Sequence, residues 1–179
     1  MTRTLLAILA LACGLSLAAH GQVARITAEE FRSRFNLASR GHGLTMRLGD
    51  WKAGPAGSPD LAAEVTSRIR VIAERDRQGR LSSLLLLMQS PATLESAAEI
   101  VATLAATTYA ANPELPDADR EALFEELGFN QDGWDARGLD GIAIRGGLTY
   151  RVIHPGGDGL IVALVSWDVP REPSSRLSL

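Results

Sequence analysis

RIRVIAERDRQGRLSSLLLLMQ, residues 68–89, is the stretch whose reading decides the fold. From Val65 onward, Val65, Ser67, Ile69, Val71 and Ala73 alternate with Thr66, Arg68, Arg70 and Glu74. That period of two is a half-buried strand. Asp76-Arg77-Gln78-Gly79 is turn chemistry, and Leu81 to Met88 returns as a second strand, so the pair reads as a β-hairpin. Leu84 to Leu87 is apolar on both faces, which predicts a strand that is central and covered.

The flanks supply helices. Thr27-Ala28-Glu29-Glu30 is a capping box, with Ile26 and Phe31 as its hydrophobic staple. It predicts a helix from about Ala28 to Asn36 that buries Phe31 and Phe35, ended by Arg40-Gly41-His42-Gly43. Leu44, Met46 and Leu48 alternate with polar neighbours and predict another strand. Ala53 to Asp60 is a Gly/Pro loop. Ser90-Pro91 reads as a helix start. Leu94, Ala97, Ala98, Val101, Ala105 and Thr108 follow on one helical face, and Asn112-Pro113 closes the helix. Asp117 reads as the cap of a further helix carrying Leu123, Phe124 and Leu127, with Gly128 after its end. Ile142–Ile144, Leu148–Ile153 and Leu160–Trp167 read as strands.

The resulting fold class is α+β: an antiparallel sheet of about five or six strands with two to three helices packed on one face. A faint repeat runs through it. Arg70-Val71-Ile72 followed by a turn and Leu81 resembles Arg151-Val152-Ile153 followed by a turn and Leu160. A duplicated helix-plus-meander unit and a chance likeness of two hairpins both account for it.

The chain begins with Arg3, an apolar run from Leu5 to Leu17, and Ala19 and Gly21 at signal-peptidase spacing. That pattern predicts a secretory signal peptide, residues 1–21, cleaved before Gln22. The run is shorter than the roughly 20 residues a membrane span needs. Cys13 gives a rival reading as a lipidated cysteine, but Ala10-Leu11-Ala12 is an imperfect lipoprotein box. Removing 21 of the 179 residues leaves 158, enough for one domain over 22–169 with a fraying tail at 170–179. Cys13 is the single cysteine, so a processed chain has no disulfide and no thiolate zinc site. Net charge is −3, and −4 without Arg3, which lacks the basic excess that nucleic acid requires.

No nucleophile elbow, His-Glu-x-x-His helix or phosphate loop is present. His42 and His154 lie in turns, as solvated residues or as half of a metal or general-base pair. Asp132, Asp135 and Asp140 lie close enough in sequence to gather around calcium, but their spacing is no EF-hand and the closing glutamate is missing. Asp132, Asp135 or Glu126 would serve a hydrolase working through paired carboxylates. Nothing in the sequence calls for a cofactor.

Charge is distributed more tellingly. Five arginines lie between Arg68 and Arg80, and nine acids lie between Glu114 and Asp140. Arg68 and Arg70 fall on one face of the predicted strand, opposite Ile69 and Val71. That row points to solvent, to the chain's own acidic helix, or to a carboxylate- or phosphate-bearing partner. Trp51 and Trp134 in loops are candidate aromatic anchors, whereas Trp167 reads as a core plug. The leading expectation is an exported, non-enzymatic binding domain. Arg68, Arg70, Trp51 and Trp134 are its candidate contacts, and an exported protein or an acidic small ligand is its partner.

Overall fold

The computed structural model describes residues 23–54, 60–91, 93–129, 139–154 and 159–167. The predicted leader, the tail, Asp132, Trp134 and Asp135 lie outside the described residues.

Among the described residues three helices, α1 (Ala28–Gly41), α2 (Leu94–Ala111) and α3 (Asp117–Glu126), accompany seven strands. The strands are β1 (Lys52–Ala53), β2 (Leu61–Thr66), β3 (Ile69–Arg75), β4 (Leu81–Gln89), β5 (Asp140–Arg145), β6 (Leu148–Ile153) and β7 (Leu160–Ser166). They form one sheet in the order β1-β2-β3-β4-β7-β6-β5, antiparallel throughout. Each half of the chain is helix followed by meander, and the last strands of the halves, β4 and β7, pair at the centre.

The strand predicted over 65–74 is two strands. A tight turn at Ser67-Arg68 folds β2 back on β3, aided by the Arg68 amide donating to Thr66 Oγ1 (3.2 Å). This split, together with β1, raises the count to seven. The predicted strand at Leu44–Leu48 does not form. Its alternating burial is present, yet Leu48 gives its N–H to Asn36 Oδ1 (2.8 Å) and takes Asn36 Nδ2 at its carbonyl (3.1 Å). A side chain of α1 thus satisfies the backbone that a neighbouring strand would otherwise pair.

The helix starts also shift. Thr27 caps α1 as predicted, with Oγ1 accepting from the Glu30 amide at 3.2 Å, but the helix runs on to Gly41. α2 begins at Leu94, not at Pro91, because Thr93 and Ser96 form a reciprocal capping box. Its inward face carries Ile100, Leu104, Thr107 and Ala111, not the predicted Leu94–Thr108 stripe, and Leu94 is exposed. The threonines disguised that face. Thr103 and Thr108 bury because each hydroxyl donates to the carbonyl four residues back, Glu99 (2.7 Å) and Leu104 (2.9 Å). Asp117 is the first residue of α3 rather than its cap, and its carboxylate instead accepts from Tyr109 Oη (3.0 Å).

The core lies between the helices and one face of the sheet. Phe31, Phe35, Ile100 and Leu123 meet Val71, Leu84, Leu86, Tyr150, Val152, Ile161, Ala163 and Val165, all buried. Fully burying each large apolar side chain contributes about 1.5–3 kcal/mol. Trp167 plugs the end of this core, as predicted. β4 is central, as predicted, but only one of its faces is covered. Leu84, Leu86 and Met88 are buried, while Leu85 and Leu87 remain partly exposed on the other side.

Candidate functional site: the open face of the sheet

Strand pairing lines up the residues on the face away from the helices. One row runs Lys52, Ala62, Ile72, Leu85, Leu164, Arg151, Ile142 across all seven strands. The adjacent row runs Glu64, Arg70, Leu87, Val162, Ile153, Asp140. A third runs Glu74, Ser83, Ser166, Thr149, Ile144. The middle of this face is aliphatic. Among the described residues five large hydrophobic side chains are exposed, and three of them, Ile142 (58%), Ile144 (49%) and Leu160 (42%), lie on this face. An aliphatic sheet face with a charged margin is the composition of a binding surface, since a solvated face would alternate to polar residues.

The margin is made of ion pairs between neighbouring strands. Arg70 Nη2 reaches Glu64 Oε1 at 3.3 Å on one flank, and Arg151 Nη2 reaches Asp140 Oδ1 at 3.3 Å on the other. Both pairs are well exposed, so each adds little to stability. Two grooves open beside the first pair. One, of about 230 Å³, is lined by Arg68, Arg70, Glu64, Leu87 and Leu160 among others. The second, of about 680 Å³, is lined by the small residues Gly49, Ala53 and Ala62 and by Asp50, Lys52, Glu64 and Arg70, among others.

The predicted contacts divide. Arg68 sits in the β2–β3 turn, so it does not share a strand with Arg70; the turn nevertheless brings both to the smaller groove. Trp51 is withdrawn from the open face. Its indole N–H donates to the Ala28 carbonyl (2.9 Å) and its ring packs on the core. Trp134 lies outside the described residues. Lys52 and the aliphatic rows were missed. Their signal was Leu84–Leu87 itself, a run too apolar for a strand with one solvated face.

The chemical alternatives fare as follows. Asp140 is on β5 and engaged with Arg151, and Glu126 is engaged with Arg145. Among the described residues no three His, Cys, Asp or Glu side chains gather as a metal site. His42 is exposed and packs on the Tyr109 ring, with centroids 4.9 Å apart, whereas His154 is buried at the end of β6.

Beneath the helices lies one buried polar group of structural consequence. Arg120 is 5% exposed, donates from Nη2 to the carbonyls of Asn112 (2.9 Å) and Pro113 (3.0 Å), and lies 3.7 Å over the Tyr109 ring. Burial pulls its guanidinium below the usual arginine range, countered by Tyr109, Tyr150 and Asp117. Burial likewise pushes the Tyr150 hydroxyl up, against the opposing pull of Arg120. This cluster locks the end of α2 and does not touch the open face.

No family model, curated protein or solved structure matches the chain.

Proposed function

We propose that the protein is an exported, non-enzymatic binding domain whose working surface is the open face of the sheet. The observation that carries the reading is the aliphatic centre formed by Ile72, Leu85, Leu87, Val162, Leu164 and Ile153, flanked by exposed charge. Such a face supplies non-directional affinity from its centre and orientation from its margin. Lys52, Arg68 and Arg70 gather at the β1–β3 end with the two acids Asp50 and Glu64, a net positive excess that favours a partner bearing acidic groups next to an aliphatic segment. Export is supported by the Arg3/Leu5–Leu17 leader. No described helix is long and apolar enough to cross a membrane.

The test is cross-linked capture from the native host, followed by mapping of the cross-links. The reading predicts one protein recovered near one-to-one, with cross-links on β3, β4 or β7, and its loss in Leu85→Glu and Arg70→Glu. Cross-links confined to the helix side, or recovery unchanged in both variants, would contradict it.

A further inference from the structure

The two edges of the sheet are built differently. At one edge β1 is only two residues long, carries Lys52, and lies beside β2, whose pairing with β3 is interrupted by a register shift between Glu64 and Thr66. Short strands, lysine and bulges are the devices by which proteins blunt a sheet edge. β5 has none of them. Asp140–Arg145 pairs with β6 in unbroken register over six residues, contains no lysine or proline, and among the described residues has no strand on its outer side. Its Ile142 and Ile144 stand exposed on the open face.

The backbone of this edge has a definite phase. Gly146-Gly147, both at positive φ (54° and 78°), form the two-residue turn that closes the hairpin at the pair Arg145↔Leu148. In an antiparallel ladder the closing pair exchanges its N–H and C=O groups, and those of alternate residues turn the other way. Arg145, Ala143 and Gly141 therefore point their backbone groups at β6, while Ile144, Ile142 and Asp140 point theirs outward. The outward direction of the Ile144 carbonyl agrees with its partner, Arg145 Nη1 at 3.0 Å.

We propose that β5 is a dimerisation edge, and that its partner is β5 of a second copy of this chain, paired antiparallel about a two-fold axis perpendicular to the sheet. With Ala143 on the axis, Ile142 of each copy stands opposite Ile144 of the other. Both residues present their backbone groups outward, so the two pairs form four main-chain hydrogen bonds once the Arg145 guanidinium shares or releases the Ile144 carbonyl. Both also place their side chains on the open face, so four isoleucines close into one cross-strand cluster. A two-fold axis of this kind preserves faces, so residues of one parity must meet. This register satisfies that condition and leaves each Asp140 with its own Arg151. The product is a continuous sheet of fourteen strands in which the two open faces join into one surface, the closed symmetry that most homodimers adopt. The inference does not depend on the proposed binding function.

Sedimentation velocity on the purified protein, from low micromolar to several hundred micromolar, tests it. A concentration-dependent dimer is expected. Ile142→Lys/Ile144→Lys should weaken it at least tenfold while leaving the far-ultraviolet circular dichroism intact, and Leu85→Lys, at the middle of the open face, should leave it unchanged. Hydrogen exchange on the unmodified protein gives a second readout: the Ile142 and Ile144 amides should become more protected as concentration rises. A monomer throughout, or a dimer lost in Leu85→Lys but kept in the edge variant, would overturn the proposal. So would exchange at those two amides that is independent of concentration.

Discussion

Replacing Arg120 by methionine sets two opposing effects against each other at one buried position. The substitution keeps most of the side chain's volume and removes the charge. On one side, the guanidinium is 5% exposed and its Nε and Nη1 make no hydrogen bond within the protein; Asp117 lies 3.6 Å from Nε, too far to accept one. Removing a poorly satisfied buried charge relieves desolvation, and such replacements are sometimes stabilising. On the other side, Nη2 holds the Asn112 and Pro113 carbonyls at the C-terminal end of α2, and the guanidinium lies flat on Tyr109. The buried Asn112 carbonyl would keep the Leu115 amide (3.3 Å) but lose its charged donor at a cost of about 1.5–3 kcal/mol, whereas Pro113 is exposed and can turn to solvent. Loss of the cation–π contact adds about 1 kcal/mol. With about 1 kcal/mol returned by desolvation, Arg120→Met should destabilise the protein by about 2 kcal/mol. Urea denaturation reads this directly, with a fall in melting temperature of roughly 4–8 °C. A loss under about 0.5 kcal/mol, or a gain, would refute the reasoning by showing that desolvation outweighs the capping of α2.

Three further outcomes follow from the geometry. Leu86→Ala, on the buried face of β4, should cost about 2–5 kcal/mol, whereas Leu85→Ala one residue away should cost less than about 1 kcal/mol; comparable losses by denaturant titration would mean that both faces are covered. Gly141→Ala should destabilise by about 1–3 kcal/mol, because the added Cβ would stand 2.6 Å from the Leu127 Cα, a backbone atom that cannot swing away; a neutral result in thermal melting would contradict that close approach. The Asp76 carboxyl is held below the usual carboxylate range by the Arg80 amide first, and then by Arg25 and the Gln78 amide. Its contribution is complete above the ordinary carboxylate pKa of about 4 and is lost as pH falls through the lowered value. Asp76→Asn should therefore flatten the acid limb of a stability-against-pH profile, and an unchanged limb would count against the turn's hydrogen bonds.

Much of this architecture was legible in the sequence where one physical signal acted alone. Thr27 with Glu30 fixed the start of α1, Asp76 to Gly79 fixed the β3–β4 turn, and Gly128 marked the end of α3. The misreadings arose where two signals competed. Val65 to Ala73 keeps a period of two straight through the Ser67-Arg68 turn, so alternation alone hides a hairpin. Leu44 to Leu48 alternates like a strand, but Asn36 meets its backbone groups first. In α2 the buried stripe is displaced onto threonines, of which Thr103 and Thr108 satisfy their hydroxyls on the carbonyls four residues back. The site was half legible. Arg70 and its neighbour Arg68 stand out by charge, and the aliphatic rows show locally only as the Leu84–Leu87 run, while the place of Lys52 beside them depends on strand order, which no local pattern reveals. Trp51 lies away from the open face, with its N–H donating to the start of α1.

The most direct test of the open face is the fluorescence of an apolar dye, such as anilinonaphthalene sulfonate, titrated with the folded protein at neutral pH. An uncovered aliphatic centre predicts enhanced, saturable fluorescence from the native state, abolished by Leu85→Glu together with Leu164→Glu with the circular dichroism unchanged. Native protein that leaves the dye dark, or variants that bind it as well as the parent, would contradict the account.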